Sequence, residues 1–126
     1  MASHLVLLVE DNEDTRVVVE ELLTAEGLAV VVAADGAEAL EILRDGADPC
    51  LILLDVMMPR KDGYAFRAEQ LADPVLARIP VVVFSGAFDI ATIARQLGVG
   101  DYLKKPIDVS QMLGTVRRYC ADAPQP

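Results

Sequence analysis

Three carboxylates, a hydroxyl and an ammonium each stand directly after an apolar run of this chain. Glu10 and Asp11 follow Leu5-Val6-Leu7-Leu8-Val9, and Asp55 follows Cys50-Leu51-Ile52-Leu53-Leu54. Ser85 follows Val81-Val82-Val83-Phe84, and Lys105 follows the short stretch Tyr102-Leu103-Lys104. If these runs are neighbouring parallel strands, the five groups converge on one sheet edge. Crowded carboxylates cannot all stay ionised unless a cation binds; otherwise one pKa rises. An all-oxygen ligand set favours Mg²⁺, with Mn²⁺ as the alternative, over zinc or copper. Asp11 and Asp55 are the expected direct ligands, the Met57 carbonyl a third, and Glu10 acts through water. A metal-bound carboxylate can accept a phosphoryl group as an aspartyl phosphate. Lys105 then supplies a point charge for one phosphate oxygen, and Ser85 and the Gly86 backbone N–H supply hydrogen-bond donors. Taken singly, each residue has an ordinary reading: a capping aspartate, a solvated lysine pair at Lys104 and Lys105, and turn chemistry at Ser85-Gly86. What raises them above it is their joint placement past the ends of different strands.

The elements needed to position them are legible as alternation. Expected strands are Leu5–Val9, Leu28–Ala33, Cys50–Leu54, Val81–Phe84 and about Asp101–Leu103. Between them, helical spacing predicts helices from about Asp14 to Ala25, from an Asp35 cap to Arg44, from Tyr64 to Leu71, and from Asp89 to Leu97. A last helix runs from an Asp108 cap to about Cys120. Gly27 and Gly98 suit helix ends. Gly114 lies inside the last helix, where close packing against the sheet is one rationale for it. Strands alternating with helices predict an α/β fold with a five-stranded parallel sheet and helices on both faces. The favoured strand order is 2-1-3-4-5, the flavodoxin-like arrangement, which puts Glu10, Asp11 and Asp55 side by side at the switch point.

Bulk properties narrow the function. The 126 residues suit one domain, expected over 1–120, with 121–126 as a tail or the start of a linker. A hydrophobic content of 53% excludes global disorder, and a net charge of −9 argues against direct nucleic-acid binding. No run is long enough to span a membrane and no export signal is present, so a cytoplasmic location is expected. Cys50 and Cys120 lack metal-ligand spacing and read as a reduced pair, with Cys50 packed in the core. His4, the one histidine, reads as a surface residue.

The segments Leu8-Val9-Glu10-Asp11-Asn12, Leu53 to Pro59, Asp62-Gly63, Val83-Phe84-Ser85-Gly86 and Asp101 to Pro106 together resemble a response-regulator receiver domain of two-component signalling. The chain is similar to the stand-alone chemotaxis response regulator in this respect. The resemblance implies that Asp55 is the phosphoacceptor, Glu10 and Asp11 the acidic metal pair, and Lys105, not Lys104, the functional lysine. It further implies that Ser85 senses the phosphoryl group, that the Tyr102 ring turns inward on activation, and that Lys105–Pro106 is a candidate cis peptide. A sensor histidine kinase or histidine phosphotransfer protein is the implied donor, and a downstream protein, unnamed by the sequence, the target. Such a domain is a regulatory phosphoacceptor, not an enzyme, although it assists its own phosphorylation and dephosphorylation. Departures are Ser85 where threonine is common and Ile107 where phenylalanine is common. Met57 and Ala87 occupy positions that tune dephosphorylation, and the apolar Met57 implies a long-lived phosphoryl group. A flavin carrier of the same topology is disfavoured by the acidic loop Glu10 to Asp14, and a phosphatase by the lack of a cap segment. A constitutive interaction module is disfavoured by the complete residue set.

Overall fold

The apolar runs become strands because their residues are buried on both sides, and the amphipathic segments become the helices that bury them. The computed structural model describes residues 4–58 and 60–120. In chain order these form β1 (Leu5–Val9), α1 (Glu13–Ala25), β2 (Ala29–Ala33), α2 (Gly36–Arg44), β3 (Leu51–Leu54) and α3 (Gly63–Ala72). A single 3₁₀ turn (Leu76–Arg78) precedes β4 (Val81–Ser85), α4 (Ile90–Leu97), β5 (Asp101–Lys104) and α5 (Val109–Tyr119). The sheet is parallel, in the expected order β2-β1-β3-β4-β5.

Alternate side chains of the central strands feed two cores. Val6, Leu8, Leu51 and Leu53 pack with Val19 and Leu23 of α1 and Met112 and Val116 of α5. Leu7, Val9, Ile52 and Leu54 pack with Leu40 and Leu43 of α2 and Phe66 of α3. α4 covers Val83 and Val56 with Ile90, Ile93 and Leu97. Four helices begin on a side-chain cap: Asn12, Asp35, Asp62 and Asp108 each accept from the backbone N–H three residues on. Gly27 follows α1 at φ 87° and Gly98 closes α4 at φ 71°, left-handed conformations that glycine adopts without strain.

The strand ends set the site. Val9 is in register with Leu54, and the Asp55 N–H donates to the Val9 carbonyl at 2.9 Å, so Glu10 and Asp55 emerge together. β4 and β5 run one residue further than expected because Ser85 pairs with Lys104, and the Lys105 N–H donates to the Ser85 carbonyl. The Lys105–Pro106 peptide is cis, as the resemblance implied.

Three expectations are corrected. Cys50 and Cys120 form a disulfide, with Cα atoms 5.6 Å apart, in place of a reduced pair. Seventy residues separate them in sequence, and only the return of α5 along the sheet brings them together. Gly114 has no packing role, since a Cβ there would meet no atom within 4 Å. His4 is half-buried, and its Nδ1 has no hydrogen-bond partner among the described residues. The expected tail at 121–126 lies outside the described residues. No helix among those described is long and apolar enough to cross a membrane.

Candidate functional site

The carboxyl ends of β1, β3, β4 and β5 bring Glu10, Asp11, Asp55, Ser85 and Lys105 to one edge of the sheet. Asp55 and Glu10 are buried there and Asp11 is exposed, so the acidic group opens to solvent on one side. Glu10, Asp11 and Asp55 can place one carboxylate oxygen each within 4.8 Å of one another. Lys105 Nζ lies 2.6 Å from Glu10 Oε1 and 3.5 Å from Asp55 Oδ2. The ion pair with Lys105 compensates a Glu10 carboxylate that is fully buried. Glu10 Oε2 accepts the Asn12 N–H at 3.2 Å, and Asp55 Oδ1 accepts the Met57 N–H at 3.3 Å. Burial pushes the Asp55 carboxyl up, and the Glu10 carboxylate pushes it further. Lys105 and the Met57 amide oppose them, and the pKa settles at about 6.

This donor set fits a hard divalent cation. It is all oxygen and carries three negative charges against one ammonium. A cation there would relieve the repulsion that raises Asp55.

The other expected residues surround this centre. Ser85 is buried, and its Oγ accepts the Ala87 N–H at 3.1 Å, which leaves its proton free to donate elsewhere. Gly86 lies beside Lys105, close enough that an added Cβ would stand 3.8 Å from the lysine Cβ. Met57 is 73% exposed at the mouth of the site. Tyr102 lies on β5 with its side chain exposed. Lys104 is not part of the centre: its ammonium donates to the Ala87 carbonyl at 2.9 Å.

Four further residues hold the site in place without having been assigned a role from sequence. The Phe84 ring lies under Lys105, 5.1 Å from Nζ to centroid, and favours a cation at that point. Arg16 on α1 donates to the Glu10 carbonyl at 3.0 Å. Arg60 sits at φ 62° and its Nε donates to Asp35 Oδ2 at 2.6 Å, which ties the loop after Asp55 to the start of α2. Burial would raise the Asp35 carboxyl, but the Glu38 N–H and the Arg60 guanidinium outweigh it and hold it below its ordinary value. Gly63 is pressed against the loop, since a Cβ there would come within 2.7 Å of Val56 Cα and 3.1 Å of the Asp55 carbonyl. Only Gly63 had a sequence signal, its place beside Asp62 after Pro59; the other contacts link positions with no shared spacing.

Comparison with known proteins agrees with this geometry. The family model described as the response regulator receiver domain matches residues 6–117. Transcriptional regulatory protein CpxR of Escherichia coli (strain K12) is 35% identical over 112 residues, covering 89% of this chain and 47% of the relative. The chain therefore spans about half the length of that curated relative. Protein PilG of Pseudomonas aeruginosa is 34% identical over 117 residues, covering 90% of this chain and 85% of the relative. Among solved structures, the receiver domain of sensor histidine kinase PA1611 from Pseudomonas aeruginosa PAO1 has a magnesium ion coordinated in its active site cleft. It is similar with a TM-score of 0.84 at 30% identity, covering 95% of this chain and 99% of that one.

Proposed function

The chain belongs to the response regulator receiver domain family, and from that premise we propose that Asp55 is its phosphoacceptor and the input of its two-component switch. The observation that carries this is one buried carboxylate shared between an ammonium, at 3.5 Å, and an acidic cation site. An Asp55 carboxylate oxygen attacks the phosphorus of a phosphohistidine on a sensor kinase or phosphotransfer protein. The P–N bond breaks, its electron pair returns to the imidazole, and an acyl phosphate forms on Asp55. Asp11, Asp55 and the Met57 carbonyl would hold Mg²⁺ directly and Glu10 through water, with Mn²⁺ as a substitute. Bound there, the cation neutralises charge on the phosphoryl oxygens. Lys105, released from Glu10 and Asp55, pairs with one phosphoryl oxygen, while the Ser85 hydroxyl and the Gly86 N–H donate to others.

The donor docks at the groove beside Lys105, of about 270 Å³, where Thr15 and Val18 of α1 face Pro106 and Ile107. Output runs through Ser85 and Tyr102 to the face of α4, β5 and α5, where a downstream protein binds. The domain acts in the cytoplasm, beside the kinase domain that feeds it, without touching nucleic acid or membrane itself. Its own water-mediated dephosphorylation is slow because the exposed Met57 offers the attacking water no polar partner.

Acetyl phosphate with Mg²⁺ should add one phosphoryl group to the protein by intact mass. Asp55→Asn should abolish the addition, and EDTA should suppress it. Undiminished labelling of Asp55→Asn would overturn the assignment.

A further inference from the structure

The end of the sheet opposite the phosphoacceptor carries chemistry that the switch does not use. Cys50 directly precedes β3, whose other end leads into Asp55, so the two residues stand about 16 Å apart along the strand. Cys120 caps α5. Their Cα atoms lie 5.6 Å apart, inside the range that a disulfide spans, and the bond is formed. Cys120 is buried in the apolar cluster between α5 and the sheet, and Cys50 packs against that cluster, where free thiols sit as small hydrophobes. Cys50 Sγ also lies 3.3 Å from the Leu5 carbonyl oxygen, an acceptor for its proton when reduced. The bond reinforces a polar clasp on the same helix end: Arg117 pairs with Glu26 at the close of α1, and Arg118 and Tyr119 bond to Asp101 on β5.

We propose that Cys50 and Cys120 are a reversible thiol–disulfide pair, oxidised by low-molecular-weight disulfides, whose closure fastens the C-terminal turn of α5 to the sheet. Cys50, partly buried where Cys120 is fully buried, reacts first. Its thiolate attacks one sulfur of oxidised glutathione, the S–S bond of the oxidant breaks, and one glutathione thiolate leaves. The Cys120 thiolate then attacks Cys50 Sγ in the mixed disulfide and expels the second glutathione. Two cysteines lose two electrons and two protons, and one glutathione disulfide becomes two thiols. α5 borders the output face, so oxidation changes how freely that helix end can move while the pocket around Asp55 is untouched.

The test equilibrates the full chain in glutathione buffers from fully reduced to fully oxidised, followed by acid quench, alkylation and intact mass. The expected result is a single transition between two alkylated thiols and none, without stable glutathione adducts. Hydrogen exchange in the same samples should show amides of the last turn of α5 slowed about tenfold on oxidation. Labelling by acetyl phosphate should be equal in both states, which separates this pair from the phosphoacceptor reading. Two alkylatable thiols at every ratio, a bond that resists reduced glutathione throughout, or equal α5 exchange in both states would each overturn the inference. Cys50→Ser should trap glutathione on Cys120 or stay reduced, and should show the fast α5 exchange under all buffers.

Discussion

At the scale of single residues, the site is a balance between Lys105 and two buried carboxylates. Asp55 has a pKa of about 6 in the folded protein against an ordinary 3.8. Between those values the folded state binds more protons than the unfolded state, so this group makes the cation-free protein less stable as pH rises toward 7. Asp55→Asn should therefore raise stability at pH 7 without Mg²⁺ by about 2 kcal/mol, an advantage that shrinks on acidification toward pH 4. Urea titrations at the two pH values check it, and equal gains at both would contradict it. Mg²⁺ competes with that same proton, so its affinity should fall steadily below about pH 6, measurable by calorimetry. Asp35 has the opposite sign. Its carboxyl is held low by Glu38 and Arg60, so its contribution is present at neutral pH and fades as acid protonates it.

At the scale of elements, the loop from Asp55 to Asp62 is positioned by groups that do no chemistry. Gly63→Ala would drive a Cβ into Val56 Cα and the Asp55 carbonyl, at 2.7 and 3.1 Å. It should cost roughly 2 kcal/mol and slow phosphorylation. Gly114→Ala, in open space within α5, should instead stabilise by about 1 kcal/mol and leave labelling unchanged. Thermal melts and acetyl phosphate labelling of the two variants test the contrast. Gln70 is the buried brace of α3. Its amide donates to the Leu76 and Ile79 carbonyls at 2.9 and 3.0 Å and accepts from Arg67 at 2.8 Å. Gln70→Ala should lose about 2–4 kcal/mol by leaving those carbonyls unpaired in a cavity. Phosphorylation of the folded fraction should stay normal, since none of those partners belongs to the phosphoryl pocket; a loss there would mean that α3 couples to the site.

At the scale of the whole molecule, the disulfide closes a loop over a sequence separation of 70 residues, which in the chain-entropy view is worth up to about 4 kcal/mol. Reduction should lower the denaturant midpoint without changing the order of the strands, and an unchanged midpoint would show that the bond adds nothing to stability. The arrangement of five strands, five helices and the converging strand ends was legible beforehand because each rests on local chemistry. Continuous apolar runs such as Leu51–Leu54 mark buried parallel strands, helical spacing marks the covers, and a polar residue just past a run must emerge at the sheet edge. The resemblance then assigned roles to Glu10, Asp11, Asp55, Ser85 and Lys105, and the register of β1 with β3 and of β4 with β5 brings their chain positions together. The pairing of Lys105 with Glu10, the Phe84 ring beneath it, the Arg60–Asp35 tie and the Cys50–Cys120 bond were decided only by the tertiary structure. Their partners lie between 21 and 95 positions apart, and side chains so separated share neither a period nor a turn; they meet only because the sheet and its helices return the chain to the same place.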